Sequence, residues 1–475
     1  MSNVLAPILF AVSVALIYQA KRKNDFTPIT NRPRRVSSTG VPYVPDTGSP
    51  LSQLQELEKS RSRVYYFFRE TDLDRGIDYS ILCIRPLGLL RVAKDIIILP
   101  DHPKIRHAFA GFVTFLGYEE WQAIWIVGTD EPSVLKDGSV EEHISMLQQA
   151  SKRLQEIYEK PKDFLVIPYI VTDHLYEACQ QMKLTVIGDL ISCIPNKASI
   201  YDLVVPDAAE WAVPNGVVCT AEELLERFEA LSADIKEAEQ GSSLLPIEQV
   251  LTKEAKKFLI KPCNGQGGNS ISKVSTYAET ELAMKEYIAA QRKFRDTEMS
   301  VQYGMMSDVN AYNLEEEVQG VEKTVVVVSI GPTVVAISDQ MANGFTHIGN
   351  AAPSTVDQHV LDVCVEAAHS IQAQINLQGF WGLDFVIAPG PNGRIRPVVV
   401  DLNVGRLCGG HYPYLFAKNN GVAFKSYVSL HVPDNLSEED RLKIKESVHT
   451  AGVWKPESGV AYAALNRRIE YVLDK

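Results

Sequence analysis

The chain has 475 residues, 45% of them hydrophobic and 22% charged, a composition typical of a globular protein with two or three domains. Its formal net charge of -12 argues against a general polyanion binder, so a phosphate site would have to be built from individual lysines and backbone amides. The 7 cysteines include no C-x-x-C pair, which argues against a disulfide framework and against a structural zinc site.

The N-terminal residues 4–18 form an uncharged apolar run, and Lys21, Arg22 and Lys23 follow it. A membrane-spanning helix needs about 20 apolar residues, and basic residues favour the cytosolic side of such a segment. We therefore predict a transmembrane anchor over residues 1–23, with membrane contact through residues 4–18 and the body of the protein in the cytosol. A buried or cleaved leader is the alternative.

Residues 24–60 are rich in Pro, Ser, Thr and Arg, and this composition predicts a linker without a core of its own. Residues 61–195 alternate short β-branched runs with helical patterns. Within them, Ser139 and Glu142 form a capping box that predicts a helix ending near Tyr158. The alternation predicts an α/β domain with a parallel sheet, and its expected role is substrate binding or scaffolding.

Two lysines mark the next region of the chain. Lys197 precedes a short helical pattern, and Lys261 ends an apolar strand that leads into a stretch with Gly265, Gly267 and Gly268. This stretch does not complete the dinucleotide fingerprint G-x-G-x-x-G, but it suits a loop whose backbone amides fold over phosphate oxygens. A simple glycine-rich turn is the alternative.

Residues 355–376 carry apolar side chains at helical spacing, which predicts a helix with one buried face. This helix leads to two runs, residues 384–387 and 397–402, on either side of a segment rich in Pro, Gly and Asn at residues 389–393. Such a segment favours a tight turn, so the two runs predict a β-hairpin.

Folding this hairpin places Asp384 opposite Asp401, and the pleat of the strand points Asn403 to the same face. Arg406 lies just beyond the strand. Three oxygen ligands beside a guanidinium suit Mg²⁺ held between the protein and phosphate groups. A solvated hairpin rim with chance acids is the alternative.

The order of these elements resembles the ATP-grasp superfamily over residues 196–425, about half of the chain. The resemblance implies nucleotide contacts from two lysines, a glycine-rich lid and a hinge that receives the adenine: Lys197, Lys261, Gly265, Gly267, Gly268, Gln302, Tyr303 and Gly304. The chain departs from the family at Gln302, where an acid is common. It also has Val309 and Asn310 where a ribose-binding glutamate is expected, seven or eight positions later.

The hairpin is the metal-binding part of the resemblance. Asp384, Asp401 and Asn403 match the metal ligands of the family, and Arg406 completes a D-x-N-x-x-R pattern. The implied cofactors are ATP and Mg²⁺, with Mn²⁺ as an alternative metal. Arg406 and Lys261 are implied as catalytic residues, because charge on the transferred phosphoryl group must be neutralised.

The implied fold class is α/β (α+β). A pre-ATP-grasp α/β domain at residues 61–195 precedes an ATP-grasp fold at residues 196–430. The lid of that fold covers about residues 196–300 and its core about residues 301–430. Residues 431–475 form a closing segment.

The implied function is an ATP-dependent ligase that joins a small-molecule carboxylate to an amine, amino acids and peptides included. The route is an acyl phosphate with release of ADP and phosphate, and no nucleic-acid partner is expected. A phosphotransferase to a hydroxyl and a non-catalytic nucleotide-binding scaffold are the alternatives, and the oligomeric state stays open. His347 and His411 are either residues of the acceptor pocket or structural histidines.

Overall fold

The computed structural model of the chain describes residues 52–58, 61–67, 85–91, 94–101, 103, 105–106, 109–110, 119–126, 138–158, 163–190, 197–214, 216–220, 258–262, 271–274, 279, 282–283, 285–286, 311–343, 346–390, 393–419, 426–431, 460–461 and 468–473. Within these residues the strands form one parallel sheet and two antiparallel sheets, with helices packed on them. The predicted α/β class is therefore confirmed.

The last part of the predicted linker over residues 24–60 contains a short helix. Helix α1 (Ser52–Glu58) lies there, and its Leu57 is buried in the core of the N-terminal domain. The Gln53 side chain accepts a hydrogen bond from the Gly188 backbone amide at 3.0 Å. A helix of 7 residues is too short to show a helical period in a polar stretch, so its tertiary contacts are what stabilise it.

Five parallel strands form the N-terminal sheet: β1 (Arg63–Tyr66), β2 (Ile96–Pro100), β3 (Ala123–Ile126), β4 (Leu165–Pro168) and β5 (Thr185–Val186). Their order across the sheet is β3-β2-β1-β4-β5. Parallel strands need crossover connections. Helix α2 (Val140–Ile157) lies in the connection from β3 to β4, and helix α3 (Asp173–Met182) lies in that from β4 to β5. The parallel sheet predicted from the alternating pattern is confirmed.

The helix predicted from Ser139 and Glu142 is confirmed with its N-terminal cap. Ser139 Oγ accepts from the Glu142 amide at 3.3 Å, and the Glu142 carboxylate accepts from the Ser139 amide at 2.6 Å. Thr172 caps α3 by accepting from the Leu175 amide at 3.3 Å. The two helices cover one face of the sheet, whereas the other face packs against the C-terminal half of the chain.

Two antiparallel sheets follow. The small sheet contains β6 (Gly216–Thr220), β7 (Phe258–Pro262), β8 (Ser272–Val274) and β9 (Ala311–Glu316). The large sheet contains β10 (Lys323–Ile330), β11 (Thr333–Asn343), β12 (Thr346–Ala352), β13 (Phe380–Pro389), β14 (Ile395–Val404), β15 (Ser426–His431), β16 (Val460–Ala461) and β17 (Arg468–Leu473). Helix α4 (Gln358–Ile375) joins β12 to β13, and helix α5 (His411–Asn419) follows β14.

The strand orders locate the passage between these sheets. The small sheet is β6-β9-β7-β8, and the large sheet is β14-β13-β10-β11-β12-β15-β17-β16. Because β9 belongs to the small sheet and β10 to the large one, the chain crosses between them at residues 317–322. This passage comes later than the expected boundary between lid and core near residue 300.

Helix α4 covers one face of the large sheet. Cys364, Ala367 and Ile371 are fully buried there in one cluster with Trp381 and Phe385 of β13. The buried helical face predicted from the apolar spacing is therefore confirmed. Since side chains alternate along a strand, the neighbours of these β13 residues point to the opposite face of the sheet.

Strands β15 and β17 extend the large sheet beyond β12, and β16 pairs with β17 at its edge. The sequence predicted only a closing segment for residues 431–475. Two of these three strands, β16 and β17, fall in that segment and belong to the same sheet as the hairpin.

The expectation of a transmembrane helix is corrected. In the part of the chain that the structure describes, no helix is both long enough and apolar enough to cross a membrane. The apolar run at residues 4–18 lies outside the described residues.

A buried carboxylate ties the N-terminal domain to the start of β13. Asp189 is 3% exposed and accepts hydrogen bonds from the backbone amides of Gln378 and Gly379 at 2.7 to 3.1 Å. The two backbones approach closely, since a Cβ at Gly379 would lie 2.5 Å from the Gly188 Cα. Burial raises the pKa of Asp189 to about 6, and the two amide hydrogen bonds partly oppose this shift.

We expect Asp189→Asn to flatten the pH dependence of stability between pH 4 and 6. Over this range the folded protein keeps a proton on Asp189 that the unfolded chain, with its ordinary pKa of 3.8, has lost. The free energy of unfolding of the wild type should therefore fall as the pH rises through this window, by up to about 3 kcal/mol. Urea unfolding at several pH values measures this slope.

The control is Asp163→Asn, which removes an exposed carboxylate that pairs with Arg61 at 2.6 Å. This variant should keep the slope of the wild type. An unchanged slope in Asp189→Asn would contradict the effect of burial on this group.

Candidate functional site

The β13–β14 hairpin brings the predicted acidic residues together. Asp384 lies directly opposite Asp401 in the antiparallel register, and Asn403 lies opposite Gly382. The register shifts next to Asp384, so Val400 is an extra residue of β14 and forms a β-bulge. Both carboxylates belong to partly exposed residues and can reach a ligand.

The alternation of side chains along β13 explains which face carries the acids. Trp381, Leu383 and Phe385 are buried on the side of α4, so Asp384 points to the other side. Burial of each apolar side chain contributes about 1.5–3 kcal/mol, whereas one cross-strand pair of side chains changes stability by only about 0.2–1 kcal/mol. The apolar face therefore decides the register, and the facing carboxylates are its consequence.

Two carboxylates and an amide oxygen suit a hard divalent cation. Mg²⁺ prefers oxygen ligands and binds through one or two carboxylates together with substrate phosphates. A cation would also offset the repulsion between Asp384 and Asp401. Among the residues that the structure describes, no group of three or more His, Cys, Asp or Glu side chains is placed to hold a metal ion. The residues fit a metal shared with phosphate oxygens better than a metal held by protein side chains alone.

The loop after β14 carries Arg406 to the N-terminal domain. Gly405 has a φ of 67°, a left-handed conformation that allows a sharp turn after the strand. Arg406 then forms a backbone bridge with Ile170, just beyond the end of β4. The carboxyl end of a parallel strand therefore lies against the acidic end of the hairpin.

His411 holds this loop from within the core. Its Nδ1 accepts from the Cys408 amide at 2.8 Å, and its Nε2 lies 2.9 Å from the Ser329 carbonyl oxygen. A carbonyl oxygen can only accept, so Nε2 carries the proton and the ring is neutral. His411 is fully buried and packs edge-on against Phe380, which makes it a structural group. The side chain of His347 lies outside the described structure.

Lys261 reaches from the small sheet to the hairpin. Its ammonium forms an ion pair with Glu315 of β9 and donates to the Val400 carbonyl oxygen at 3.4 Å. Val400 precedes Asp401, so the ammonium lies next to the strand that bears the acids. A partly buried cation beside these acids suits phosphate oxygens, because charge-assisted hydrogen bonds are strong where water is scarce.

Several predicted nucleotide residues fall outside the described structure: Gly265, Gly267, Gly268, Gln302, Tyr303 and Gly304. The backbone of Lys197 begins a short 3₁₀ helix (Lys197–Asp202), but its side chain is not among the described groups. The roles assigned to these residues stay predictions.

The passage between the two antiparallel sheets contains acidic residues that the sequence motifs did not indicate. Lys273 of β8 pairs with Glu317 at 2.7 Å, and the Glu322 amide donates to the Ile387 carbonyl oxygen of β13 at 2.9 Å. Both sheets are thus tied to this short segment. A signal was present in the sequence, where three consecutive glutamates precede the apolar run of β10.

Residues 238–409 match the family model described as an ATP-grasp domain. The chain contains an ATP-grasp domain. The matched segment includes Lys261, Asp384, Asp401 and Arg406, whereas Lys197 precedes it. The predicted ATP-grasp resemblance is therefore confirmed. A comparison with curated proteins gives no match.

Solved structures with similar folds include enzymes that bind ADP. An ADP complex of N5-carboxyaminoimidazole ribonucleotide synthetase has a TM-score of 0.47 and 13% identity, over 87% of this chain and 93% of that chain. N5-carboxyaminoimidazole synthase from Aspergillus clavatus, with ADP and 5-aminoimidazole ribonucleotide, has a TM-score of 0.46 and 11% identity, over 88% and 95% of the two chains. The VanG D-Ala:D-Ser ligase from Enterococcus faecalis has a TM-score of 0.38 and 14% identity, over 76% and 99%. These TM-scores are all below 0.5, and the family model alone identifies the ATP-grasp domain.

We expect His411→Asn and His411→Gln to separate the two hydrogen bonds of this ring. An Asn oxygen can replace Nδ1 as the acceptor for Cys408, whereas a Gln amide nitrogen can replace Nε2 as the donor to Ser329. Each variant should lose about 1–3 kcal/mol of stability, because one buried polar group is left unpaired. Only His411→Gln should make the loop at residues 405–408 more mobile. Amide hydrogen exchange of each folded variant measures this difference. Equal exchange of this loop in the two variants would contradict the role of the Cys408 bond.

Proposed function

We propose that the chain is an ATP-dependent carbon–nitrogen ligase that joins a small-molecule carboxylate to an amine through an acyl phosphate. The observation that carries this proposal is the contact of Lys261 with the strand that bears Asp401, directly opposite Asp384, inside an ATP-grasp domain. A lysine ammonium and two facing carboxylates in one cleft suit a nucleoside triphosphate with its metal ion.

ATP would occupy the cleft between the small and large sheets. In this placement Lys261 neutralises phosphate oxygens from the side of the small sheet. Asp384, Asp401 and Asn403 would hold Mg²⁺ from the side of the large sheet. When it is bound, Mg²⁺ supplies positive charge to the phosphate oxygens as the phosphoryl group is transferred.

We place the adenine at the passage between the sheets. Glu322 follows Glu315 by seven positions, the spacing that the ATP-grasp resemblance leads us to expect between the hinge and a ribose-binding glutamate. The backbone of residues 315–322 would then receive the base at the mouth of the cleft. Residues 302–304 remain the alternative hinge.

The acid substrate must be made a better electrophile before an amine can attack it. Its carboxylate oxygen attacks the γ-phosphorus of ATP, the bond to the ADP oxygen breaks, and an acyl phosphate forms. The amine nitrogen then attacks the acyl carbon, phosphate leaves with the bonding electron pair, and the nitrogen loses a proton to solvent. Negative charge develops on oxygen in both steps. We propose that Lys261 and Arg406 stabilise this charge.

Asp401→Asn and Asn403→Ala should each lower turnover by about a hundredfold or more, because the first removes the negative charge of a cation ligand and the second removes a ligand oxygen. The fold should persist, since the apolar side of β14 is unchanged. ADP release with a panel of acids and amines measures turnover, and thermal unfolding checks the fold. Asp362→Asn, an exposed change on α4 at the opposite face of the sheet, is the matched control and should keep normal turnover. Loss of the fold in Asp401→Asn would show a structural role instead.

The products distinguish the acyl-phosphate route from other chemistries. We expect ADP and phosphate, and we expect hydroxylamine to trap the activated acid as a hydroxamate when the amine is withheld. Arg406→Ala should reduce this trapping sharply, whereas Arg394→Ala, an exposed change near the hairpin turn, should not. AMP as the product would exclude this route. ADP with a stable phosphorylated alcohol would indicate a phosphotransferase, and nucleotide binding without turnover would indicate a scaffold.

A further inference from the structure

A tyrosine outside the predicted site contacts the partner of Lys261. Tyr201 lies in the 3₁₀ helix Lys197–Asp202, and its buried hydroxyl donates to Glu315 Oε2 at 2.5 Å. The other carboxylate oxygen of Glu315, Oε1, pairs with the Lys261 ammonium. Glu315 is only 1% exposed, so both of its oxygens are engaged inside the protein.

A glycine makes room for this tyrosine. Gly216 lies directly opposite Glu315 in the register of β6 and β9. A Cβ at Gly216 would clash with ring carbons Cε1 and Cζ of Tyr201, so the ring occupies the space that a side chain would need. The small sheet is thus shaped to place one aromatic hydroxyl at the Glu315 carboxylate.

The contacts continue from Glu315 to the large sheet. Lys261 donates to the carbonyl oxygen of Val400, the bulge residue before Asp401. A free lysine side chain samples many rotamers, and its ammonium stays in one place only when partners hold it. Here one carboxylate and one carbonyl oxygen hold it between the two sheets.

We propose that Tyr201 and Glu315 are positioning residues for Lys261, an inference that rests on the proposed function. Glu315 holds the ammonium where phosphate oxygens enter the cleft. Tyr201 keeps the carboxylate turned so that one oxygen faces the lysine. The side chains of Tyr201 and Glu315 act on the nucleotide through Lys261 and need no contact with it.

Chemical labelling tests this placement without nucleotide. The full chain is treated with acetic anhydride, and acetylation of Lys261 is followed by mass spectrometry in wild type, Tyr201→Phe and Glu315→Gln. Labelling should be severalfold faster in both variants, because Glu315 covers the amine in the wild type and Tyr201 keeps the carboxylate turned toward it. The matched control is Tyr66→Phe, which removes another buried tyrosine hydroxyl, 2.7 Å from His143 Nδ1 in the N-terminal domain. Equal labelling of wild type and both cleft variants would overturn the proposal.

A double-mutant cycle tests whether Tyr201 acts through Lys261. Tyr201→Phe should weaken ATP binding about tenfold, the size expected for a hydrogen bond to a charged group, and should raise KM for ATP more than it lowers kcat. Tyr66→Phe should leave both constants unchanged. In a Lys261→Ala background, Tyr201→Phe should have no further effect on ATP binding.

The outcomes of the cycle separate this inference from the proposed function. Normal ATP binding by wild type with additive effects of Tyr201→Phe and Lys261→Ala would overturn the positioning role alone. A wild-type chain that binds no ATP would overturn both the proposed function and this role. Two results together would support the proposal. Tyr201→Phe would have no effect in the Lys261→Ala background, and Lys261 would be labelled faster in the Tyr201→Phe and Glu315→Gln variants.

Discussion

The candidate site depends on the buried apolar face of the β13–β14 hairpin. Trp381, Leu383 and Phe385 pack on the side of α4, and this packing admits only one register of side chains. A slip of one residue would turn Asp384 into the apolar core, where an unpaired carboxylate costs far more than its repulsion from Asp401. Burial of the apolar face of the hairpin therefore outweighs the repulsion between the two facing carboxylates.

Buried polar groups hold the other elements around this hairpin. Asp189 joins the N-terminal domain to the start of β13, and His411 joins the loop of Arg406 to the centre of the large sheet. Glu315 joins the small sheet to Lys261. Each group is satisfied by specific partners, and an unpaired polar group at such a depth would be costly. These contacts link three parts of the chain through directional bonds between specific groups.

The net negative charge of the chain also affects how a phosphate site can be built. With a net charge of -12, the protein has no general positive field to attract phosphate, so each cation must be placed individually. Lys261 is placed in this way, because it pairs with the buried Glu315 carboxylate and donates to the Val400 carbonyl oxygen beside Asp401. In the proposed function a divalent cation beside Asp384 and Asp401 would offset the negative charge that a triphosphate adds there.

The sequence by itself determined the features that depend on neighbouring residues. The capping box of Ser139 and Glu142, the apolar spacing of α4 and the turn residues of the hairpin each act over a few positions, and the structure has the elements that they predict. The pairing of Asp384 with Asp401 follows from two strands and one turn, so it could be derived from the sequence. The parallel sheet was likewise evident from the alternation of strands and helices.

The tertiary structure alone decided the contacts between distant residues. Tyr201 and Glu315 are 114 positions apart, and no local pattern in the chain relates them. The short helix α1 and the passage between the sheets at residues 317–322 likewise depend on the order of the strands and on packing against other elements. Periodicity and turn chemistry report only on the few residues around them, whereas strand order is a property of the whole fold. For this reason the sequence indicated the acids and the lysine, and the fold supplied the residues that hold them in place.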